Sequence, residues 1–192
     1  MSEDVVVVFA LQREADPFQR RKLKVCTIVG GVGGGGAEFI TRVAIEAWKP
    51  RLVVAAGYCG ALSPHLKVGD VVTSPRILTV DHVVGDPAEK KHLFETTGAD
   101  AVDMESAAVE RVCAEFGTPF LAVRAVSDTS DTRLSPALVN VMSGGRVSWW
   151  KALKAALRRP YLFAEYNRLA RDTKIAGEKL AEALAGIVPR PS

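Results

Sequence analysis

The sequence predicts an α/β domain built on a mostly parallel sheet, and three observations carry that reading. Continuous β-branched apolar runs recur, as in "VVVVFAL" (5–11), "KVCTIVGG" (24–31), "PRLVVAAGYCGAL" (50–62) and "PFLAVRAVSD" (119–128). Such runs mark strands buried on both faces. They alternate with segments of helical period. From Arg146 onward the pattern is helical throughout.

Taken in order, the first run is β1-like, and the second leads into the glycine stretch "GGVGGGGAE". "AEFITRVAIEAW" (37–48) reads as a helix stopped by Pro50. The third run is a strand ending near glycine, and "KVGDVVTSPRILTVDHVVG" (67–85) gives one or two more strands with turns. Residues 104–116 read as a helix and 119–128 as the last buried strand. Pro160 is expected to split the C-terminal pattern into two helices. The 192 residues make one domain, 1–192, with 145–192 as a helical segment packed on it. No internal repeat is present.

Composition narrows the class. An apolar fraction of 48% and a charged fraction of 24% are ordinary for a soluble globular chain. Charged residues or proline interrupt every apolar run before it reaches membrane-spanning length. The N-terminus is acidic ahead of its apolar run, the reverse of a secretory signal. Cys26, Cys59 and Cys113 form no C-x-x-C pair and read as buried thiols, so a cytoplasmic location is expected. His65, His82 and His92 lack metal-ligand spacing and read as structural or surface residues, and no metal or cofactor is expected.

In open α/β sheets ligands sit beyond the carboxyl ends of the strands. Glu14, the glycine stretch, Tyr58 to Gly60 and Ser127–Asp128 all fall there, and Glu105 stands in the first turn of a helix, where its dipole favours a carboxylate. Each acid alone has a plain alternative: Glu14 a solvated loop acid, Glu105 a helix-start acid, Asp128 a turn or cap residue. Convergence of three carboxylates from distant segments at one sheet edge is what points to a site. Gly31, Gly33 and Gly36 satisfy G-x-G-x-x-G, but a run so rich in glycine matches almost automatically. No acid ends a following strand to hold a dinucleotide ribose, so a bare-backbone loop close to a ribose or anion is the better reading.

Three blocks carry a resemblance. "VFALQREADPF", "VVAAGYCGALSPHLKVGDVV" and "AVDMESAAVERVCAEFGTPFLAVRAVSD" are similar to the conserved segments of the purine nucleoside phosphorylase and nucleosidase superfamily, across roughly 5–132. The nearest branch is the methylthioadenosine/S-adenosylhomocysteine nucleosidases. The compact middle and the tryptophan-containing basic tail also resemble the hopanoid-associated phosphorylase-like proteins, thought to remove adenine from adenosylhopane. The resemblance implies a three-layer fold around a central mixed, twisted sheet flanked by helices.

It also implies roles. Asp128 matches the aspartate at purine N7, steered by Ser127. Glu105 matches the glutamate gripping the ribose hydroxyls, with Met104 beneath the sugar. Glu14 matches the water-activating glutamate, and Arg124 the arginine that helps hold the water. Gly57 is the glycine of the second block. Val83 and Val84 stand where main-chain partners of the base are expected. Asp103 reads as a structural neighbour. The implied reaction cleaves the N-glycosidic bond of a purine nucleoside, most simply a 5′-modified adenine nucleoside, with water as co-substrate. Departing adenine needs a proton at N7, so Asp128 is expected to be held protonated by burial among like-charged carboxylates, while Glu14 must be ionised. Asparagine at 128 is expected to end turnover and keep the fold.

Departures keep alternatives open. Bacterial-type phosphorylases of this group carry an arginine two residues before the block's glycine and a serine after it, both for phosphate; here they are Ala55 and Tyr58. Their loss favours hydrolysis over phosphorolysis, or else Tyr58 reshapes the sugar end. The segment between "VGDVV" and "VDME" is short, which either opens the 5′ side or removes catalysis and leaves a nucleoside-binding relative. Family members complete their pockets from a neighbouring subunit, so a homodimer or larger homo-oligomer is expected.

The charge is uneven. From Arg146 on there are ten Lys/Arg against four Asp/Glu, in a chain of net charge +3. Trp149 and Trp150 adjoin Lys151, Lys154, Arg158 and Arg159, with Tyr161 and Phe163 beyond Pro160. This pattern is either core contacts with a solvated basic face or a peripheral membrane contact. Nucleic acid is not an expected partner, since no recognised motif accompanies the charge.

Overall fold

The computed structural model describes residues 4–31, 33–136, 138–139 and 160–188. Strands and helices follow in the order β1 (Val5–Phe9), α1 (Gln12–Gln19), β2 (Cys26–Val29), α2 (Gly34–Trp48) and β3 (Leu52–Ala61), then β4 (Val71–Thr73) and β5 (Ile77–Thr79). They continue with α3 (Pro87–Thr97), β6 (Ala101–Asp103), α4 (Ser106–Glu115), β7 (Phe120–Asp128) and α5 (Pro160–Ile187).

The sheet is mixed and forks at its longest strand. One edge of β3 pairs in parallel with β1 up to Ala56, and β6 then takes over that edge antiparallel at Gly60 and Ala61. The other edge runs parallel to β7, with a register shift between Cys59 and Gly60. β2 extends the sheet beyond β1, β5 beyond β6, and β4 lies antiparallel on β7. Most strand pairs are parallel, as the buried runs lead one to expect, and β6 and β4 supply the antiparallel pairings that make the sheet mixed. Both are three-residue strands, too short to announce their direction.

The continuous apolar runs are explained by two cores, one on each face of the sheet. Val5, Val7, Phe9, Val54 and Val123 pack with Ala15 and Phe18 of α1 and Ala176, Leu180 and Leu184 of α5. Their neighbours Val6, Val8, Val53 and Ala55 face the other way, onto Ala37, Ala44 and Ile45 of α2 and Val109 and Val112 of α4. Side chains alternate across a strand, so a strand between two helical layers must be apolar at every position. Each fully buried valine or leucine contributes about 1.5–3 kcal/mol relative to exposure.

α5 is described from Pro160 onward. The expected helix before it, with Trp149, Trp150 and the neighbouring basic residues, lies outside the described residues. Among the described residues no helix is long and apolar enough to cross a membrane.

Candidate functional site

The site is assembled where β1, β3, β6 and β7 end. A single cleft there is lined by Glu14, Tyr58, Met104, Glu105, Ser127 and Asp128. Val83 and Val84 form another part of its wall, and Leu134, Leu169 and Thr173 close the side toward α5. Gly57 and Arg124 do not line the cleft. They lie behind Glu14, on adjacent β3 and β7, where Gly57 pairs with Arg124 in register.

Glu14 sits in the first turn of α1, not in a loop after β1. The sequence reading missed this helix because it is eight residues long and carries Pro17 in its interior. Glu14 Oε2 accepts from the Leu11 N–H at 2.9 Å, half of a capping box, and Oε1 accepts from the Tyr58 N–H at 3.2 Å. Burial raises the Glu14 pKa above its ordinary value of 4.5, Arg124 and the two N–H donors oppose that rise, and Glu105 adds to it.

Arg124 is almost wholly buried, 2% exposed. Its Nε donates to Asp103 Oδ2 at 2.6 Å, and an Nη donates to Ser106 Oγ at 3.1 Å. Asp103 also accepts from Thr79 Oγ1 at 2.7 Å, from the Ser106 N–H at 3.2 Å and, in a short contact, from Ser106 Oγ. It therefore caps α4 and anchors Arg124 at once. Gly57 allows the arrangement, because a Cβ there would lie 2.4 Å from an Arg124 Nη and 3.2 Å from Glu14 Oε1.

Glu105 is the N-cap residue of α4 and so stands just ahead of the first turn, where the sequence reading had placed it. Its Oε1 accepts from the Gly33 N–H at 3.0 Å. Gly33 caps α2 at φ 91°, a left-handed backbone that glycine adopts readily. The N-terminus of α2 therefore meets the carboxylate of the residue that begins α4. The anion at the glycine stretch is supplied by the chain itself.

Asp128 ends β7. Ser127 Oγ lies 2.9 Å from Asp128 Oδ1 and 3.2 Å from the Cys59 carbonyl, and donates to these acceptors. The charged group against Asp128 is not another carboxylate, as expected, but the ammonium of Lys90, in a short ion pair with Oδ2. Lys90 comes from α3, is fully buried, and also donates to the Thr129 carbonyl at 2.8 Å. Burial pushes the neighbouring Cys59 thiol up, leaving it a neutral wall group.

Tyr58 packs its ring among the residues under α5 and its hydroxyl donates to the Arg13 carbonyl at 3.4 Å. Burial first, then the Glu14 charge, push its phenol up to about 12, so it is a neutral donor. Among the described residues, no hydrogen bond engages the main chain of Val83 or Val84. His82, read as a surface residue, stands at the cleft rim between Asp81 Oδ1 at 2.9 Å and Glu89 Oε1 at 2.8 Å. Those two hydrogen bonds raise its pKa. Lys90 escaped the sequence reading because nothing distinguishes it from exposed Lys91 in "AEKKHL". The Asp86–Pro87 start of α3 was the one signal available.

A family model described as the phosphorylase superfamily matches residues 11–78 and 74–142. A 5′-methylthioadenosine/S-adenosylhomocysteine nucleosidase of Actinobacillus succinogenes is 28% identical over 158 residues, taking in 56% of this chain and 69% of that one. One from Exiguobacterium is 21% identical over 189 residues, taking in 71% and 81%. Among solved structures, the Helicobacter pylori 5′-methylthioadenosine/S-adenosyl homocysteine nucleosidase superposes with a TM-score of 0.71 at 15% identity, over 96% of this chain and 97% of that one. The futalosine hydrolase of the same organism also gives 0.71 at 15% identity, over 97% of each chain. Both share the fold.

Proposed function

The chain belongs to the phosphorylase superfamily, and from that premise we propose that it hydrolyses the N-glycosidic bond of an adenine nucleoside and releases the free base. The single observation that carries this is the meeting of Glu14, Glu105 and Asp128, from three distant segments, around one cleft at the strand ends.

In this reading Glu105 accepts the ribose hydroxyls, with Met104 against the sugar. Asp128, steered by Ser127, faces N7 of the base, whose edge meets the main chain of Val83 and Val84. Glu14 takes a proton from the attacking water. Cleavage passes through an oxocarbenium-like state, and the anionic Glu105 beside the sugar stabilises its positive charge. Arg124 acts from behind Glu14, through the space that Gly57 leaves. Tyr58 narrows the sugar end, and the 5′ substituent points toward Leu169 and Thr173 of α5.

Water is the acceptor this cleft favours. Asp128 is neutralised by Lys90 and Asp103 by Arg124, which leaves Glu14 and Glu105 as net negative charge where a phosphate would enter. The cations on the wall are Arg13 and His82, and His82 is already held by two carboxylates. Adenine release from methylthioadenosine, followed with and without phosphate, tests the reading. Release that does not depend on phosphate supports it. Strict phosphate dependence would make the chain a phosphorylase, and no release from any purine nucleoside would refute it.

Assembly into a homodimer belongs to the same reading. Phe39 is 69% exposed on α2, one turn from half-exposed Val43, and Phe116 lies exposed at the end of α4. A second copy of the chain would cover that face, and light scattering of the purified protein distinguishes a dimer from a monomer.

A further inference from the structure

We propose that Lys90 supplies the proton that the departing base receives at N7, passing it through the Asp128 carboxyl. The inference rests on the hydrolytic reading above. Both oxygens of Asp128 already face protein donors, Oδ2 the Lys90 ammonium and Oδ1 the Ser127 hydroxyl. In that arrangement Asp128 is a carboxylate, and N7 is an acceptor only. Two acceptors cannot bond each other, so a proton must be brought between them. Lys90 holds the nearest one bound to nitrogen.

The surroundings of Lys90 leave it one route to the cleft. It is fully buried and does not line the cleft, while Asp128 does. Its other acceptors are the carbonyls of Thr129 at 2.8 Å and Thr132 at 3.5 Å, neither of which can carry a proton onward. Its charge is also felt by the Cys59 thiol on β3 and by Asp131 in the loop after β7. A buried lysine is costly where an apolar residue would pack as well, and here its charge is spent on the one acid that faces the base. Lys90 is thus a positioning residue that acts through Asp128.

The step balances. As the bond from C1′ to N9 breaks, its electron pair goes to the base. One proton moves from Lys90 Nζ to Asp128 Oδ2, and one from the Asp128 carboxyl to N7. The base leaves neutral, Asp128 is again a carboxylate, and Lys90 is a neutral amine. Water adds to C1′ and gives its proton to Glu14, and water in the cleft then carries one proton from Glu14 to Asp128, which returns it to Lys90.

The test compares wild type, Lys90→Met and Lys90→Arg on methylthioadenosine and on a nitrophenyl riboside, whose leaving group departs without a proton. Lys90→Met is expected to lose on the order of 10²-fold in kcat on the nucleoside. Its KM should change little, and the loss on the nitrophenyl riboside should be far smaller. Lys90→Arg keeps the ion pair but cannot give up its proton, so it should show the same selective loss even if the methionine variant does not fold. Equal losses on both substrates, or wild-type kcat on the nucleoside in a folded variant, would overturn the relay. Wild type that releases no base at all would instead refute the hydrolytic reading itself.

Discussion

Arg124 and Asp103 form an ion pair sealed inside the protein, with Nε 2.6 Å from Oδ2 and side chains 2% and 0% exposed. The pair ties β7 to the start of α4 and holds the guanidinium behind Glu14. Replacing Asp103 by alanine leaves Arg124 charged, buried and without its carboxylate, and uncaps α4. Loss of one partner of a buried pair costs about 3–5 kcal/mol. Asp103→Ala is therefore expected to lower the unfolding free energy read from urea melts by that much and to lose activity in the fraction that remains folded. A variant with wild-type stability would show that the pair is not a structural anchor.

How much of this was legible in the sequence follows from what each residue needs locally. β1, β3 and β7 were readable because strands buried on two faces must be apolar throughout, and α2 because its period is long enough to count. Glu14, Glu105 and Asp128 were reachable from their blocks and from their places at strand ends. α1, α3 and β6 were not identified, since an eight-residue helix with an internal proline, a helix with a mixed polar surface and a three-residue strand carry too little pattern. The Lys90–Asp128 contact joins residues 38 apart along the chain, and only tertiary packing brings them together.

Gly57 sets how close the layer behind the cleft can stand. In Gly57→Ala the new methyl would lie 2.4 Å from an Arg124 Nη and 3.2 Å from Glu14 Oε1. Arg124 cannot swing aside, being held by Asp103 and Ser106. Overpacking of this kind costs about 1–3 kcal/mol. A displacement of about 1 Å at Glu14 is enough to lose on the order of 10²-fold in rate. Steady-state kinetics should show kcat falling more than KM rises, and an unchanged kcat would sink the argument.

The acid side of the pH–rate profile is expected to report Glu14. A base works only when ionised, and burial raises the Glu14 pKa above 4.5. As pH falls, Glu14 therefore takes up its proton earlier than an exposed glutamate would, and kcat/KM is lost at a pH above 4.5. Arg124 opposes the rise, so Arg124→Met should move this limb to still higher pH. An acid limb below 4.5, or one that the Arg124 variant leaves in place, would remove Glu14 from the role of base.

Asp128→Asn will be harder to interpret than the sequence implied. The substitution keeps the shape of the side chain but takes away the only carboxylate that pairs with Lys90 among the described residues. The ammonium then has the carbonyls of Thr129 and Thr132 and an amide for company, inside a site with no water access of its own. An uncompensated buried charge again costs about 3–5 kcal/mol, a large share of the roughly 5–15 kcal/mol that holds a domain folded. Lost turnover in this variant would mix a missing acid with a weakened fold. Adding Lys90→Met to Asp128→Asn removes the stranded charge, so the double variant should be more stable than Asp128→Asn alone while remaining inactive. Residues in direct contact couple by about 0.5–3 kcal/mol, well within reach of urea melts on the four proteins. Strict additivity of the two single effects would mean that the pair is not coupled in the folded protein, and that Asp128 stands there without Lys90's help.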